Sequence, residues 1–322
     1  MKPLIIITLL AISFSATSQV KLPSLSKPPA QMTIFGEGSV STSINERDFA
    51  LSPDGKEIFY TMSTPKSSYQ TIVFMKRQSN GSWSPPEIAS FAGMYTDLEP
   101  AFSADGNTIY FASNRPLNGL VPKDFDIWKV NRTNTGWGVP QNLGTSVNTA
   151  TDEFYPSITK SGNLYWTASY KDKGALGRED IFVSSIRDGV YQTAVALDSA
   201  VNSNMFEFNA FVDPNEQYIL FSSYGRKGEK GGSDLYISVK NAGGKWQPAK
   251  LLSDLNSDQL DYCPFVSPDG TTLFFTSERH DLPADFLTGR ASVKKLREIW
   301  ETTLNGTGNI YWVDFQQILK GF

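Results

Sequence analysis

Five acidic residues, Glu46, Asp97, Glu153, Glu207 and Asp261, each stand six positions ahead of the first residue of a recurring tight turn. Two positions beyond each acid come Asp48, Glu99, Tyr155, Asn209 and Cys263, a column whose chemistry varies. Carboxylates brought together in this way can hold a hard cation, since Ca²⁺ takes several oxygen ligands. Asp97, Glu153 and Asp261 are the candidate ligands for such a calcium site. Paired carboxyl groups can also cleave a glycosidic bond, one acting as acid and the other as nucleophile or base. A structural reading stands beside these. Each acid accepts hydrogen bonds from backbone N–H groups or pairs with a neighbouring unit, and recurs because its surroundings recur. Arg115 and Arg279 occupy matching places, in Ser113-Asn-Arg115 and Ser277-Glu-Arg279, with Arg226 one position off register. They either bind an anionic ligand or pair with the acids.

The elements that position these residues repeat five times. The turns are anchored at Gly55, Gly106, Gly162, Glu216 and Gly270, at spacings of 51, 56, 54 and 54 residues. A fixed period of this size implies a repeat architecture in which no unit buries its faces alone. In each copy a short strand runs into a turn such as Ser52-Pro-Asp-Gly55, where Pro presets φ and Gly accepts a positive φ. An aromatic-rich strand follows at once: Glu57-Ile-Phe-Tyr-Thr61, Thr108-Ile-Tyr-Phe-Ala112, Asn163-Leu-Tyr-Trp-Thr167, Tyr218-Ile-Leu-Phe-Ser222 and Thr272-Leu-Phe-Phe-Thr276. Near-continuous apolar runs suit strands covered on both faces. A third strand begins at Asp126, Asp180 or Asp234, acids that suit turn capping, and a Gly-x-Trp element such as Gly81-Ser-Trp83 marks a fourth. Four short antiparallel strands per period make one propeller blade.

The expected fold is therefore all-β: a five-bladed β-propeller with blades beginning near 46, 97, 153, 207 and 261. The fifth copy lacks a fourth strand, whereas Met32-Thr-Ile-Phe35 forms an orphan strand ahead of the first copy. The economical solution is that the N-terminal strand completes the last blade and removes the free edges. A six-bladed alternative would need about 50 further unassigned residues, one more period of the repeat. Val293, Leu296 and Trp300 fall at helical spacing, so a helical insertion is expected over about 290–303.

Ser52-Pro-Asp-Gly55 and Ser267-Pro-Asp-Gly270, each after an aromatic strand, together with Asp126-Ile-Trp128, resemble the WD-like β-propeller repeat of the TolB type. Relaxed versions stand at Ser103-Ala-Asp-Gly106, Lys160-Ser-Gly162 and Asp213-Pro-Asn215. The ending Gly308-Asn-Ile-Tyr-Trp-Val313 also looks like that of exported single-domain members. The resemblance implies the fold and not a partner, because the matching residues are turn and core residues. TolB carries an extra N-terminal domain and six blades, so its partner binding does not transfer.

Composition narrows the function. The 322 residues carry a formal net charge of -4 with no basic patch, which excludes nucleic acid as the expected partner. A single histidine, His280, excludes multi-histidine metal centres. No Gly-x-Ser-x-Gly elbow and no phosphate-binding glycine loop occur. The one cysteine, Cys263, permits no internal disulfide and reads as a buried, inert thiol. Residues 1–18 read as a secretory signal, with Lys2 ahead of an apolar stretch from Leu4 to Phe14 that is too short to span a membrane. A flexible segment over 19–31 and the propeller over 32–322 follow. The expectation is an exported monomer, periplasmic or extracellular, with no membrane span and no required cofactor. It would act as a non-catalytic module holding a glycan, peptide or envelope protein on one propeller face. The alternatives are a glycoside hydrolase with a carboxylate-lined channel and a purely structural envelope component.

Overall fold

A computed structural model describes residues 19–170, 178–281 and 290–322. The expected signal segment, 1–18, lies outside the described residues. Five antiparallel blade sheets follow one another along the chain, with a small hairpin of Ile186–Arg187 and Val190–Tyr191 beside the third. Blade 1 runs from its inner strand Asn45–Leu51 through Glu57–Ser63 and Gln70–Lys76 to the outer Glu87–Ile88. Blades 2 to 4 repeat the plan, with inner strands Asp97–Phe102, Glu153–Ile158 and Phe206–Val212. Blade 5 consists of Asp261–Val266, Thr272–Ser277 and Asn309–Asp314, and its outer strand is Thr33–Ile34, paired to Trp312 and Tyr311. The chain thus closes the ring with its own beginning, as the orphan strand required.

Closure is reinforced by packing. Phe35 has no exposed surface and meets Phe49, Phe274 and Trp312 edge-on at ring-centroid distances of 5.4, 5.2 and 5.3 Å. It joins the first blade to the last. Between other blades the second-strand aromatics carry the same load, as where Phe59 lies against Phe102 and Trp137. Burying such rings contributes both area and edge-on geometry. The Gly-x-Trp elements sit in the turns ahead of the outer strands rather than in them. Trp83 bridges Val20 and Arg77, and Gly136–Trp137 pairs with the end of the third strand of blade 2. The outer strands are only two residues long and begin a few residues later, which leaves short, poorly templating edges.

The turn motif shows its chemistry at Ser52-Pro-Asp-Gly55. Gly55 takes a φ of 69°, its N–H donates to Ser52 O at 2.8 Å, and Ser52 Oγ donates to Asp54 Oδ1 at 2.7 Å. In blade 4 Glu216 stands in this left-handed place with a φ of 56°, held by Lys240 at 3.0 Å. The insertion in blade 5 carries the helix α1 (Val293–Trp300), capped by Ser292, whose Oγ accepts from Lys295 N at 3.1 Å. Among the described residues no helix is long and apolar enough to cross a membrane.

Candidate functional site

The inner strands decide what faces the propeller axis. Each carries a bulge, seen as a register shift between Arg47 and Ala50, Leu98 and Ala101, Phe154 and Ser157, Phe208 and Phe211, and Tyr262 and Phe265. Inside each bulge one non-glycine residue adopts a positive φ: Asp48, Glu99, Tyr155, Asn209 and Cys263, at 62°, 60°, 50°, 49° and 54°. A bulge re-aims a side chain, and non-glycine residues pay steric strain in this region. Five equivalent strained residues, one per blade, are therefore built into the channel wall.

The two columns separate. Glu46, Asp97, Glu153, Glu207 and Asp261 have no exposed surface. Each accepts a backbone N–H from four residues earlier: Thr42 at 3.0 Å, Gly93 at 3.2 Å, Thr149 at 3.0 Å, Ser203 at 2.9 Å and Ser257 at 2.5 Å. In four blades the hydroxyl of that same residue donates too, as Thr42 Oγ1 does to Glu46 at 2.6 Å. The acid staples the loop leading into its own blade. Arg115, Arg226 and Arg279 complete the staple in blades 2, 4 and 5, pairing with Asp97, Glu207 and Asp261 at 2.5, 2.8 and 3.2 Å. Each guanidinium also donates to a carbonyl of the same loop, at Phe91, Val201 or Leu255. The structure thus places these acids and arginines in loop anchoring, and none of them lines the two channel chambers described below. Blades 1 and 3 lack the arginine. Burial raises the Glu46 carboxyl above its ordinary range and pushes Glu153 up to about 7, and it raises Asp97 too against the pull of Arg115. Asp97, Glu153 and Asp261 sit one to a blade, and among the described residues no three His, Cys, Asp or Glu side chains gather as a cation would require.

The second column converges on the axis. Arg47 Nε donates to Asp48 Oδ1 at 2.7 Å and its Nη2 to Glu99 Oε1 at 2.9 Å. Asn209 Nδ2 reaches the same Glu99 oxygen at 3.2 Å, and Tyr155 N donates to Glu99 Oε2 at 2.7 Å. Cys263 Sγ donates to Asp48 Oδ1 at 2.8 Å, and the Tyr155 hydroxyl to Pro264 O at 3.0 Å. Side chains from all five blades thus form one polar plug across the channel. Burial, then the Asp48 charge, pushes Glu99 up to about 8, against the pull of Arg47 and the Tyr155 N–H. Burial likewise lifts the Cys263 thiol well above its ordinary value, in keeping with an inert group.

The plug divides the channel. On the turn side lies an apolar chamber of about 270 Å³ with Phe102, Ile158, Phe211 and Phe265 in its walls. Its rim takes one residue from each turn: Pro53, Ala104, Lys160, Pro214 and Pro268. On the other side lies a polar chamber of about 360 Å³, whose wall includes Arg47, Glu99, Glu179, Asn209, Tyr262 and Glu278. Arg47 lies over the Tyr262 ring at 5.1 Å, and Phe125, Phe154 and Phe208 supply further aromatic wall. Glu179 accepts from Ser169 Oγ at 3.2 Å and Glu278 from the Tyr262 hydroxyl at 3.3 Å. Burial raises both carboxyls above the usual range.

Glu179 and Glu278 were not among the residues singled out from sequence. Their signal is a break in symmetry. Glu179 stands where the other blades have Gln70, Phe125, Ser233 and Gly308, and Glu278 where they have Ser63, Asn114, Ser169 and Tyr224. Elsewhere, Asp234 accepts the Lys230 N–H at 2.6 Å, and Asp126 binds Lys123 at 2.7 Å. His280 bridges Asn305 at the surface.

No protein-family model and no curated protein matches the chain. Solved structures do. TolB from Acinetobacter baumannii is 14% identical with a TM-score of 0.47, over 84% of this chain and 54% of that one. This chain therefore spans about half the length of that TolB. A putative TolB from Agrobacterium tumefaciens is 17% identical, TM-score 0.47, over 84% and 90% of the two chains. A thermostable family-43 glycoside hydrolase is 12% identical, TM-score 0.50, over 76% and 86%. At these identities the likeness is one of fold alone.

Proposed function

We propose that this protein is an exported, non-catalytic binding module whose binding face is the mouth of the polar chamber. The observation that carries the reading is the state of Glu99. Among the described residues it is the one carboxyl group deep on the axis in that chamber, and both its oxygens are already engaged by Arg47, Asn209 and the Tyr155 N–H. A general acid or a nucleophile must offer a free oxygen to the substrate. The chamber instead offers a closed floor, aromatic walls and fixed polar groups, the composition of a recognition pocket. Thermal unfolding of residues 19–322 against oligosaccharides and peptides tests this, because a ligand confined to the native state raises the midpoint. A rise that Glu278→Gln abolishes supports the reading; no rise with any class contradicts it.

The second reading, a glycoside hydrolase, rests on Glu179 and Glu278. Each has a single hydroxyl partner and a raised carboxyl, as an acid catalyst needs. Turnover of any glycan that Glu179→Gln or Glu278→Gln abolishes would replace the binding reading with this one.

A further inference from the structure

We infer that the polar mouth docks a protein segment presenting one basic side chain, lysine or arginine, flanked by apolar residues. The basic group enters the polar chamber and the apolar residues lie on a collar around it. The inference rests on the reading of this mouth as the binding face and names what it binds.

The collar is visible in the distribution of exposed apolar side chains. Among the described residues, most of the large ones belong to connections that open on the polar mouth. Some precede inner strands, as Met94 (77% exposed) does; others join second to third strands, as Leu120 (79%) and Val121 (80%) do. Blades 1 and 4 add Ile44 and Met205. The opposite face carries fewer: besides the turn residues it exposes Val139 and Val190, in the connections between third and outer strands. Exposed apolar groups gathered on one face and centred on a polar pocket mark an interaction site.

Helix α1 belongs to the same face, since it lies in the connection between the second and third strands of blade 5. Val293, Leu296 and Trp300 fall at i, i+3 and i+7 and share one stripe, yet no residue of this helix is buried. An amphipathic surface helix ordinarily turns its stripe into its own domain. Here the stripe is left exposed on that face.

Charge selects the occupant. Glu179 and Glu278 face the polar chamber with an oxygen to spare, and among the described residues Arg47 is the only cation in its wall. That guanidinium is committed to Asp48 and Glu99. Arg47 pulls on Glu179 and Glu278 through space but pairs with neither among the described residues, and their hydrogen-bond partners are hydroxyls. An arriving ammonium or guanidinium supplies the paired cation, and the aromatic side chains of Phe154 and Phe208 stand in the same wall, where a cation can approach a ring. The plug makes the chamber a dead end, which fits a side-chain tip and not a chain threading the channel. The apolar flank gives affinity, and the ion pair fixes register.

Selection from a random peptide library displayed on phage, against residues 19–322, tests the inference. Enriched sequences should carry one Lys or Arg among apolar residues. A synthetic winner should bind about tenfold more weakly when that residue becomes Gln, when Glu179→Gln and Glu278→Gln are combined, or when Trp300→Ala opens the collar. Trp300 is exposed, so the last variant folds regardless. Winners without a basic residue, winners indifferent to all three changes, or no enrichment would overturn it. If oligosaccharides alone raise the unfolding midpoint, this inference fails while the binding reading stands; binding to anionic vesicles or self-association through the collar also overturns it. If nothing raises the midpoint, both fall.

Discussion

Replacing Glu99 by Gln should remove one identifiable part of the protein's pH dependence. Glu99 titrates in the folded state near 8, pushed up first by burial, against an ordinary 4.5. Between those values the native protein holds a proton that the unfolded chain has released. Stability then falls as pH rises, by about 1.4 kcal/mol per pH unit for one proton. The destabilisation is absent below about pH 4.5 and complete above about pH 8, and the full interval amounts to at most about 5 kcal/mol. The amide that replaces the carboxyl does not titrate, so this fall disappears in the variant. Glu153, near 7 in the native state, titrates in both proteins and cancels in the difference. The assay is guanidinium unfolding of wild type and Glu99→Gln at unit pH steps from 5 to 9, at constant ionic strength. The difference between the two stability curves should slope by about 1.4 kcal/mol per unit up to near pH 8 and then level off. Parallel curves would refute the account of the plug as a buried carboxyl held with too little compensation.

Three further outcomes follow from the same contacts. Arg115→Met strands the buried Asp97 and should cost about 3–5 kcal/mol, with part recovered when Asp97→Asn is added; a loss below about 1 kcal/mol in denaturant melts would contradict the staple. Phe35→Ala removes the ring that joins blades 1 and 5 and should cost about 3–5 kcal/mol, with faster amide exchange over Asn309–Asp314; unchanged exchange there would mean that closure does not depend on it. EDTA and Ca²⁺ should leave the unfolding midpoint unchanged, because the candidate carboxylates sit one to a blade and are tied to their own loops; a Ca²⁺-induced rise lost in Glu153→Gln would restore a metal site.

The blade grammar was legible because it is local. Aromatic second strands, Pro-Asp-Gly turns and the fixed period each report their own conformation, and the orphan strand at Thr33–Ile34 could only be matched to the blade missing one. The site was legible only in part. Sequence spacing located both columns on the inner strands and pointed to the five invariant acids at the channel mouth, whereas the second column is the one that faces the axis. A single bulged residue decides that, and Asp48, Glu99, Tyr155, Asn209 and Cys263 share no residue type that would announce a left-handed φ. The invariance of the first column drew attention to it, and that invariance comes from a staple each blade needs. The variable column is the one that meets across the axis, where five different side chains must satisfy one another. Glu179 and Glu278 were hidden for a related reason. Each is unique in its column, and only the pairing of second and third strands brings the two columns to the same chamber.

The claim that the polar mouth is the binding face is tested most directly by hydrogen exchange on residues 19–322 with and without a bound ligand. The account predicts added protection in the segments opening on that mouth, around 93–96, 114–125 and 203–206, with the Pro53, Pro214 and Pro268 turns unchanged. Protection confined to those turns would place the ligand on the apolar mouth and contradict it.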